Sequence, residues 1–470
     1  MNNTNDLYNL NVLKELSPED IFEGGIGIER EGLRVNHNGE LALTPHPQFF
    51  EPKLTNPYIT TDFSESQIEI VTPTGASPEE TYNMLSALTT AVHKNLREGE
   101  LYWPQSVPGI VPDDNIIPIA DYGEGEDAKK AMAYREGLAK RYGKKKQLIS
   151  GIHFNFSFSD NTIKKLWKTH CPEMSFKDYK DGVYLKIVRN YLRYRWFVIY
   201  LMSASVGADD SFTSTCLSSL SRSDGHGASF WKYGVSLRNS DCGYKNINPL
   251  FPRYDSVAHF TSDIRAYIKG GLLSEAKELY TQIRMKPKNV GNLLDSLEQD
   301  GIQYVEMRTI DLNPFDPCGI AKNDIAFMRL LMVYLFVTPE TPYENWQIEG
   351  LTNENSVSTR GLDPGLGLQR DGVSINFFSW AKQIIRDLQF INRELNLGCG
   401  EIIKEAANRI DYPDRTYAQR LMDLIANKGY INGHLELAES YHQDFISRGY
   451  PDDATIQKML DQTFTGGHTL

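Results

Sequence analysis

Ile28-Glu29-Arg30-Glu31-Gly32-Leu33-Arg34 is the stretch on which the fold turns. It lies within Ile26–Val35, a run with strand character that ends at the turn residues Asn36–Gly39. Successive side chains of a strand point to opposite faces, so Glu29 and Glu31, two apart, share one face. Neighbouring carboxylates repel unless a cation lies between them or one binds a proton. Oxygen ligands suit Mg²⁺ or Mn²⁺ rather than zinc. The plainer alternative is a solvent face on which Arg30 and Arg34 balance the acids.

Three further stretches carry charge where a strand should be apolar. In Thr60–Ile70, Asp62 and Glu69 are seven apart and point to opposite faces of a straight strand. They share a site only if the chain bends near Ser64–Ser66; otherwise this is a polar loop leading into a strand with Glu69 exposed. In Ile152–Phe158 an apolar side alternates with His153, Asn155 and Ser157, which puts His153 on the polar face. A lone histidine there is ordinarily structural, unless acids surround it. In Gly301–Asp311, Glu306 and Arg308 share a face, either as an ion pair within the strand or as an acid for metal beside a guanidinium for an oxyanion.

Composition narrows the class. Of the 470 residues, 40% are hydrophobic and 23% charged, which describes an ordinary soluble globular protein able to build a sizeable core. Its net charge of −12 disfavours a nucleic-acid or anionic-membrane binder, which needs clustered Lys and Arg. Length alone suggests roughly three domains. The five cysteines (Cys171, Cys216, Cys242, Cys318 and Cys399) form no CxxC pair, so a reducing cytoplasm fits better than a disulfide framework. MNNTNDLYNL lacks the regions of a signal peptide. The longest apolar run, Leu330–Val337, is far short of the ~20 residues of a membrane helix. P-loop, HExxH and GxSxG motifs are absent, and Gly365-Leu366-Gly367 with Gly372 reads as a glycine turn.

Ser77-Pro78-Glu79-Glu80 marks a helix start, followed by Met84, Leu85, Leu88, Ala91, Val92 and Leu96 at helical spacing. Val183–Met202 reads as a core helix. From about Trp380 the pattern is helical, with no strand signal. Strands early and helices late predict an α+β fold with an antiparallel or mixed sheet. Lys144-Lys145-Lys146 reads as a solvated basic turn.

GIEREGLRVN…GELALTPHP and LTNPYITTDFSESQIEIVTP strongly resemble glutamate–cysteine ligase (γ-glutamylcysteine synthetase) of the bacterial type. So do YREGLAKRYG (Tyr134–Gly143), ISGIHFNFS (Ile149–Ser157), SLRNSDCGY (Ser236–Tyr244) and YVEMRTIDLNPF (Tyr304–Phe315). The chain is also similar to the ligase part of bifunctional glutathione-making enzymes, in which an ATP-grasp domain follows. Nothing after Thr463-Phe464-Thr465-Gly466-Gly467 supplies such a domain, so one ligase unit is expected over residues 1–470. Its sheet-rich core would span about 20–315 and its helical support about 316–470.

The resemblance implies a glutamine synthetase-like fold, an antiparallel sheet curved into a funnel with metal-binding acids inside. It implies ATP-dependent phosphorylation of the γ-carboxylate of L-glutamate, followed by attack of the amino group of L-cysteine. By motif match Glu29, Glu31, Asp62, Glu69, His153 and Glu306 would hold Mg²⁺ (or Mn²⁺) around the ATP phosphates. Arg308 would stabilise the phosphoryl group, Arg238 would pair with the glutamate α-carboxylate, and Arg135 would add charge near the acyl phosphate. Phe63, Tyr134, Tyr244 and Tyr280 would form the cysteine pocket. No nucleic acid or membrane is implied, and a monomer or dimer is expected in the cytoplasm. Two other readings stand beside this one: a γ-glutamyl ligase for another amine, and a non-catalytic nucleotide-binding relative.

Overall fold

Residues 24–36 form β1 (Gly24–Asn36), 13 residues long, and its register with its neighbours sets the architecture. The computed structural model describes residues 7–464; Met1–Asp6 of the opening decapeptide and Thr465–Gly467 of the closing stretch lie outside it. β1 pairs antiparallel with β3 (Gln67–Val71), β5 (Ile152–Phe158) and, through its C-terminal end, β4 (Glu100–Tyr102). With β2 (Ile59–Thr61), β9 (Ile283–Lys286) and β10 (Tyr304–Ile310), the sheet runs β2-β3-β1-β5-β10-β9. Every pairing in it is antiparallel. A small separate sheet joins β6 (Gly207–Asp209), β7 (Arg222–Ser223) and β8 (Ala228–Phe230).

Period two along these strands creates two unlike faces. Ile26, Ile28, Ile68, Ile70, Phe154, Phe156, Val305 and Met307 are buried, in contact with helices rather than water. Those helices are α1 (Pro78–Lys94), α3 (Phe176–Met202) and α4 (Lys322–Val337), while α2 (Glu126–Tyr142) lies apart from this layer. The start of α1 follows its sequence. Ser77 accepts the Glu80 N–H at 3.1 Å, the Glu80 carboxylate accepts the Ala76 N–H at 2.8 Å, and Pro78 occupies the first turn.

α5 (Trp346–Arg360) packs on α3, and the chain after Phe377 is helical through α6 (Phe377–Glu394), α7 (Gly400–Asp411), α8 (Tyr417–Lys428), α9 (Tyr430–Ser447) and α10 (Ala454–Thr463). α9 and α10 dock on α1, and α9 also on β4, so the tail braces the sheet from behind its helices. One apolar cluster runs from Tyr8 to Phe464. Among the described residues no helix is long and apolar enough to cross a membrane.

Three expectations need correction. The first is the helical support over about 316–470: β11 (Gly367–Arg370) and β12 (Val373–Asn376) form a hairpin inside it, ahead of the stretch from about Trp380 that is helical as read. Asp371 and Gly372 turn it with φ of 53° and 78°, the left-handed pair that a two-residue hairpin requires and that an Asp-Gly step supplies. The second is the basic turn. Lys144 donates to Ile117 O at 2.7 Å and Lys145 to Ser211 O at 2.6 Å, so these ammonium groups tie loops together.

The third is the solvent face once offered for β1. Arg30 and Arg34 fall on the face opposite Glu29 and Glu31, and both are buried. The Arg30 guanidinium lies 4.4 Å over the Tyr102 ring and donates to Pro317 O at 3.0 Å. Arg34, 0% exposed, meets both Glu100 oxygens at 2.8 Å and donates to Glu65 O at 2.9 Å. A buried pair broken on one side strands a charge. Arg34→Met is therefore expected to cost about 3–5 kcal/mol, and Arg34→Met with Glu100→Gln distinctly less. Urea unfolding of both variants checks this; a single-variant loss below about 1 kcal/mol would make the pair no better than a surface one.

Candidate active site

Register collects the acids. Glu31 stands opposite Glu69 across β1 and β3, and Glu29 opposite His153 across β1 and β5. Glu306 stands opposite Asn155 on one side and Arg284 on the other. Asp62 reaches the same place because 59–71 is a hairpin and not one strand. Gln67 N–H donates to Ser64 O at 2.8 Å and Ser66 N–H to Ser64 Oγ at 3.2 Å, closing the turn where a bend was required.

These acids line a cavity of about 300 Å³ that opens to solvent. Tyr134 and Arg135 enter it from α2, and Arg238, Tyr244, Tyr280 and Arg308 complete the sequence-predicted set. Phe63 is the exception. Its N–H donates to Gln67 Oε1 at 3.3 Å and its carbonyl accepts from Ala120 N–H at 3.0 Å, which leaves the ring buried and off the cavity wall. The turn that brings Asp62 to the cavity withdraws its neighbour.

The cavity divides by charge. Glu306 is enclosed by cations: Arg308 Nη1 is 2.5 Å from Oε1, and Lys286 Nζ is 2.6 Å from Oε2. Burial pushes its carboxyl up, but Arg308, then Lys286, His153 and Arg284, hold it well below the usual range. Glu29, half-buried, is likewise held low against desolvation and the charge of Glu306 by its bond to His153, at 2.9 Å. On the other side, burial and then the charges of Asp62, Glu29 and Glu31 push Glu69 well above the ordinary carboxylate range. Burial raises Glu31 as well.

The seam between the two sides fits a hard divalent cation. Ligand atoms of Glu29, Glu69 and His153 lie within 4.8 Å of one another. His153 Nε2 is buried without a hydrogen bond, its nearest acid being Glu31 Oε1 at 3.4 Å. Carboxylate oxygens with one imidazole match Mg²⁺ or Mn²⁺. Glu306, enclosed by Lys286 and Arg308, stands outside this compact trio.

Sequence reasoning missed Lys146, Lys277, Arg284 and Lys286, all on the cavity wall. A signal existed for two of them. Ile283-Arg284-Met285-Lys286 alternates apolar and cationic residues, which puts Arg284 and Lys286 on one face of a strand. Lys146, the third of a lysine run, reads first as part of a solvated turn, with attraction of phosphate as the lesser alternative, and it is the one of the three that lines the cavity.

Arg238 is held by close packing. Its Nη1 donates to Arg308 O at 2.5 Å, and its guanidinium lies over Gly151, where a Cβ would come within 2.3 Å of it. Gly151 N–H also donates to Glu31 Oε2 at 2.8 Å. Gly151→Ala is therefore expected to push Arg238 off the Arg308 carbonyl and to destabilise the chain by about 1–3 kcal/mol. A crystal structure and thermal unfolding of the variant check this; an unmoved Arg238 refutes it.

Comparison with known proteins bears on the family and the fold. A family model described as glutamate–cysteine ligase matches residues 10–271 and 267–357. The glutathione biosynthesis bifunctional protein of Clostridium perfringens is 36% identical over 455 residues, covering 94% of this chain and 58% of that protein. The chain thus spans little more than half the length of such bifunctional relatives. Glutamate–cysteine ligase of Clostridium acetobutylicum is 35% identical over 406 residues, 79% of this chain and 84% of that one. Among solved structures, glutamate–cysteine ligase from Francisella tularensis in complex with AMP superposes with a TM-score of 0.86 at 26% identity, covering 95% of both chains. A bifunctional glutathione synthetase from Pasteurella multocida gives 0.80 at 28% identity, covering 93% of this chain and 54% of that one. The open antiparallel sheet with its helices is the glutamine synthetase-like arrangement that the resemblance implied. By model match, sequence and fold together, the chain belongs to the glutamate–cysteine ligase family.

Proposed function

We propose that the protein joins the γ-carboxylate of L-glutamate to the amino group of L-cysteine at the expense of ATP, through a γ-glutamyl phosphate, giving γ-glutamylcysteine, ADP and phosphate. One observation carries this reading: a cavity whose one side gathers under-compensated carboxylates while the other offers guanidinium and ammonium groups. A carboxylate attacking a triphosphate brings like charges together, and both halves of such a cavity oppose that repulsion.

When bound, Mg²⁺ (or Mn²⁺) held by Glu29, Glu31, Asp62, Glu69, His153 and Glu306 supplies neutralising charge at the phosphates. The chain's own residues do the rest. Arg238, fixed beside the β10 backbone, pairs with the glutamate α-carboxylate. Arg308, locked by Glu306, faces the phosphoryl group in transit. Arg135, whose Nε bonds the Asp62 carbonyl, adds charge near the acyl phosphate. Tyr134, Tyr244 and Tyr280 form the amine pocket and screen the acyl phosphate from water. Tyr244 meets Tyr280 edge-on at 5.2 Å, and Lys277 caps Tyr134 at 3.8 Å. The reaction belongs in the cytoplasm, where ATP is made and thiols persist.

ADP release with glutamate and a panel of amino acids tests the reading. Cysteine-dependent turnover supports it; turnover only with another amine makes the enzyme a different γ-glutamyl ligase, and none makes it a non-catalytic relative. Glu29→Gln and Glu306→Gln are each expected to lower kcat at least about 100-fold with unchanged circular dichroism; near-normal rates in either overturn the ligand assignment.

Glu69 gives a second check. Held above the usual range, it keeps its proton to higher pH than an ordinary carboxyl, and a cation arriving while the proton is bound must displace it, so Mg²⁺ affinity rises with pH through its titration. Calorimetry in buffers of different ionisation enthalpy should detect that proton in the wild type and not in Glu69→Gln; equal release from both excludes Glu69 as its source.

A further inference from the structure

Glu278 is a buried carboxylate that the chemistry above does not use. Its side chain is 0% exposed and sits away from the acidic strands, in the segment leading to β9. Every group it meets is a donor. Oε1 accepts from the Arg141 guanidinium and from Tyr142 Oη at 2.7 Å. Oε2 accepts from Ser274 N–H at 2.6 Å and Ser274 Oγ at 2.5 Å. Its backbone carbonyl accepts from Asn246 Nδ2 at 3.0 Å, and Asn246 Oδ1 in turn accepts the Tyr280 N–H at 2.7 Å. One residue thus ties together the end of α2, the loop bearing Tyr244 and the segment bearing Lys277 and Tyr280.

The helix so tied is held by polar and ring contacts rather than by a buried face, Arg135 Nε on the Asp62 carbonyl and Lys277 over Tyr134 being two others. Of its residues only Ala128 is buried, and glycines of positive φ flank it: Gly123 and Gly125 before, Gly143 after. A helix with so few buried contacts takes its position from specific bonds at its ends. Those bonds reach the cavity through the tyrosines: Tyr142 meets Tyr244 edge-on at 5.1 Å, and Tyr244 meets Tyr280 in the same way.

From this network we infer that Glu278 is the positioning residue of the amine pocket, setting Tyr134 of α2 against Tyr244 and Tyr280. The inference rests on the ligase reading above. It explains why a carboxylate stands there: glutamine would turn an N–H₂ toward groups that are themselves donors. The sheet-borne acids and Arg308 have no bond to Glu278; α2 touches that side only through Arg135, which has its own bond to the Asp62 carbonyl, so glutamate and ATP binding depend on Glu278 less than the amine does.

Steady-state kinetics of Glu278→Gln, with hydrogen exchange on the same variant, tests the inference. The KM for the amine that the panel identifies is expected to rise about ten-fold. The KM values for glutamate and ATP should stay within about two-fold, kcat should fall less than the amine KM rises, and amides of residues 134–142 should exchange faster. Tyr142→Phe, which keeps the buried carboxylate and its other donors, should show the same pattern more weakly, so that a failure of Glu278→Gln to fold still leaves a result. Equal shifts in all three KM values, or faster exchange with an unchanged amine KM, would reduce Glu278 to a purely structural residue and overturn the inference. A wild-type enzyme without amine-dependent turnover would instead sink the ligase reading, whatever the exchange data show.

Discussion

Five carboxylates facing one cavity from a buried sheet are the constraint on which the rest depends. Desolvation disfavours the four glutamates as anions, and repulsion within the group adds to that. The protein answers in two ways. Around Glu306 it brings its own cations, Arg308 and Lys286, within 2.5–2.6 Å. Around Glu69 and Glu31 it does not, and those carboxyls rise instead. A site built in that way retains free energy for whatever cation completes it, because the unfavourable term is relieved only on binding.

Holding such a face in place requires a stiff support behind it. β1 pairs along most of its length, and its reverse face carries two buried arginines among the apolar residues. Each arginine is bonded to backbone carbonyls of distant segments, Pro317 for Arg30 and Glu65 for Arg34. These bonds fix the strand's lateral position, which hydrophobic contact alone does not. The long helices α3 and α4 back the sheet, and the C-terminal helices reach it through α1 and β4. Stability and site geometry therefore share one element, and β1 cannot shift by a residue without turning its acids into the core.

What the sequence revealed follows from the same physics. Parity within a strand is local, so Glu29 with Glu31, and Glu306 with Arg308, were legible at once. The helix start at Ser77 was legible because a cap needs only four residues. Pairing across strands is not local: the approach of Asp62 to Glu69 depended on a turn that periodicity could not demand, and the family motifs supplied it. Arg284 and Lys286 escaped because a four-residue strand is too short to stand out, although its alternation was there. Phe63 was misplaced because a motif match gives position in the chain and not the direction of a side chain inside a tight turn. The glycine turn read at Gly372 is there, but its Asp371-Gly372 step is also among the strongest short hairpin signals, and the two flanking strands are too short and exposed to stand out.

The two kinds of chemistry in the proposed reaction are built on two kinds of structure. Phosphoryl transfer tolerates little displacement of charge, and its groups sit on paired strands. Amine selection falls to Tyr134 on an exposed helix and to Tyr244 and Tyr280 on connecting segments, joined by Asn246 and Glu278 rather than by a sheet. Loops and peripheral helices accept substitution more readily than paired strands do. A change in these segments can therefore alter which amine enters without disturbing the face that activates the carboxylate. Under this reading the reaction type is written into the sheet and the amine specificity into the segments around it, which is why the sheet motifs identify the family more firmly than they identify its nucleophile.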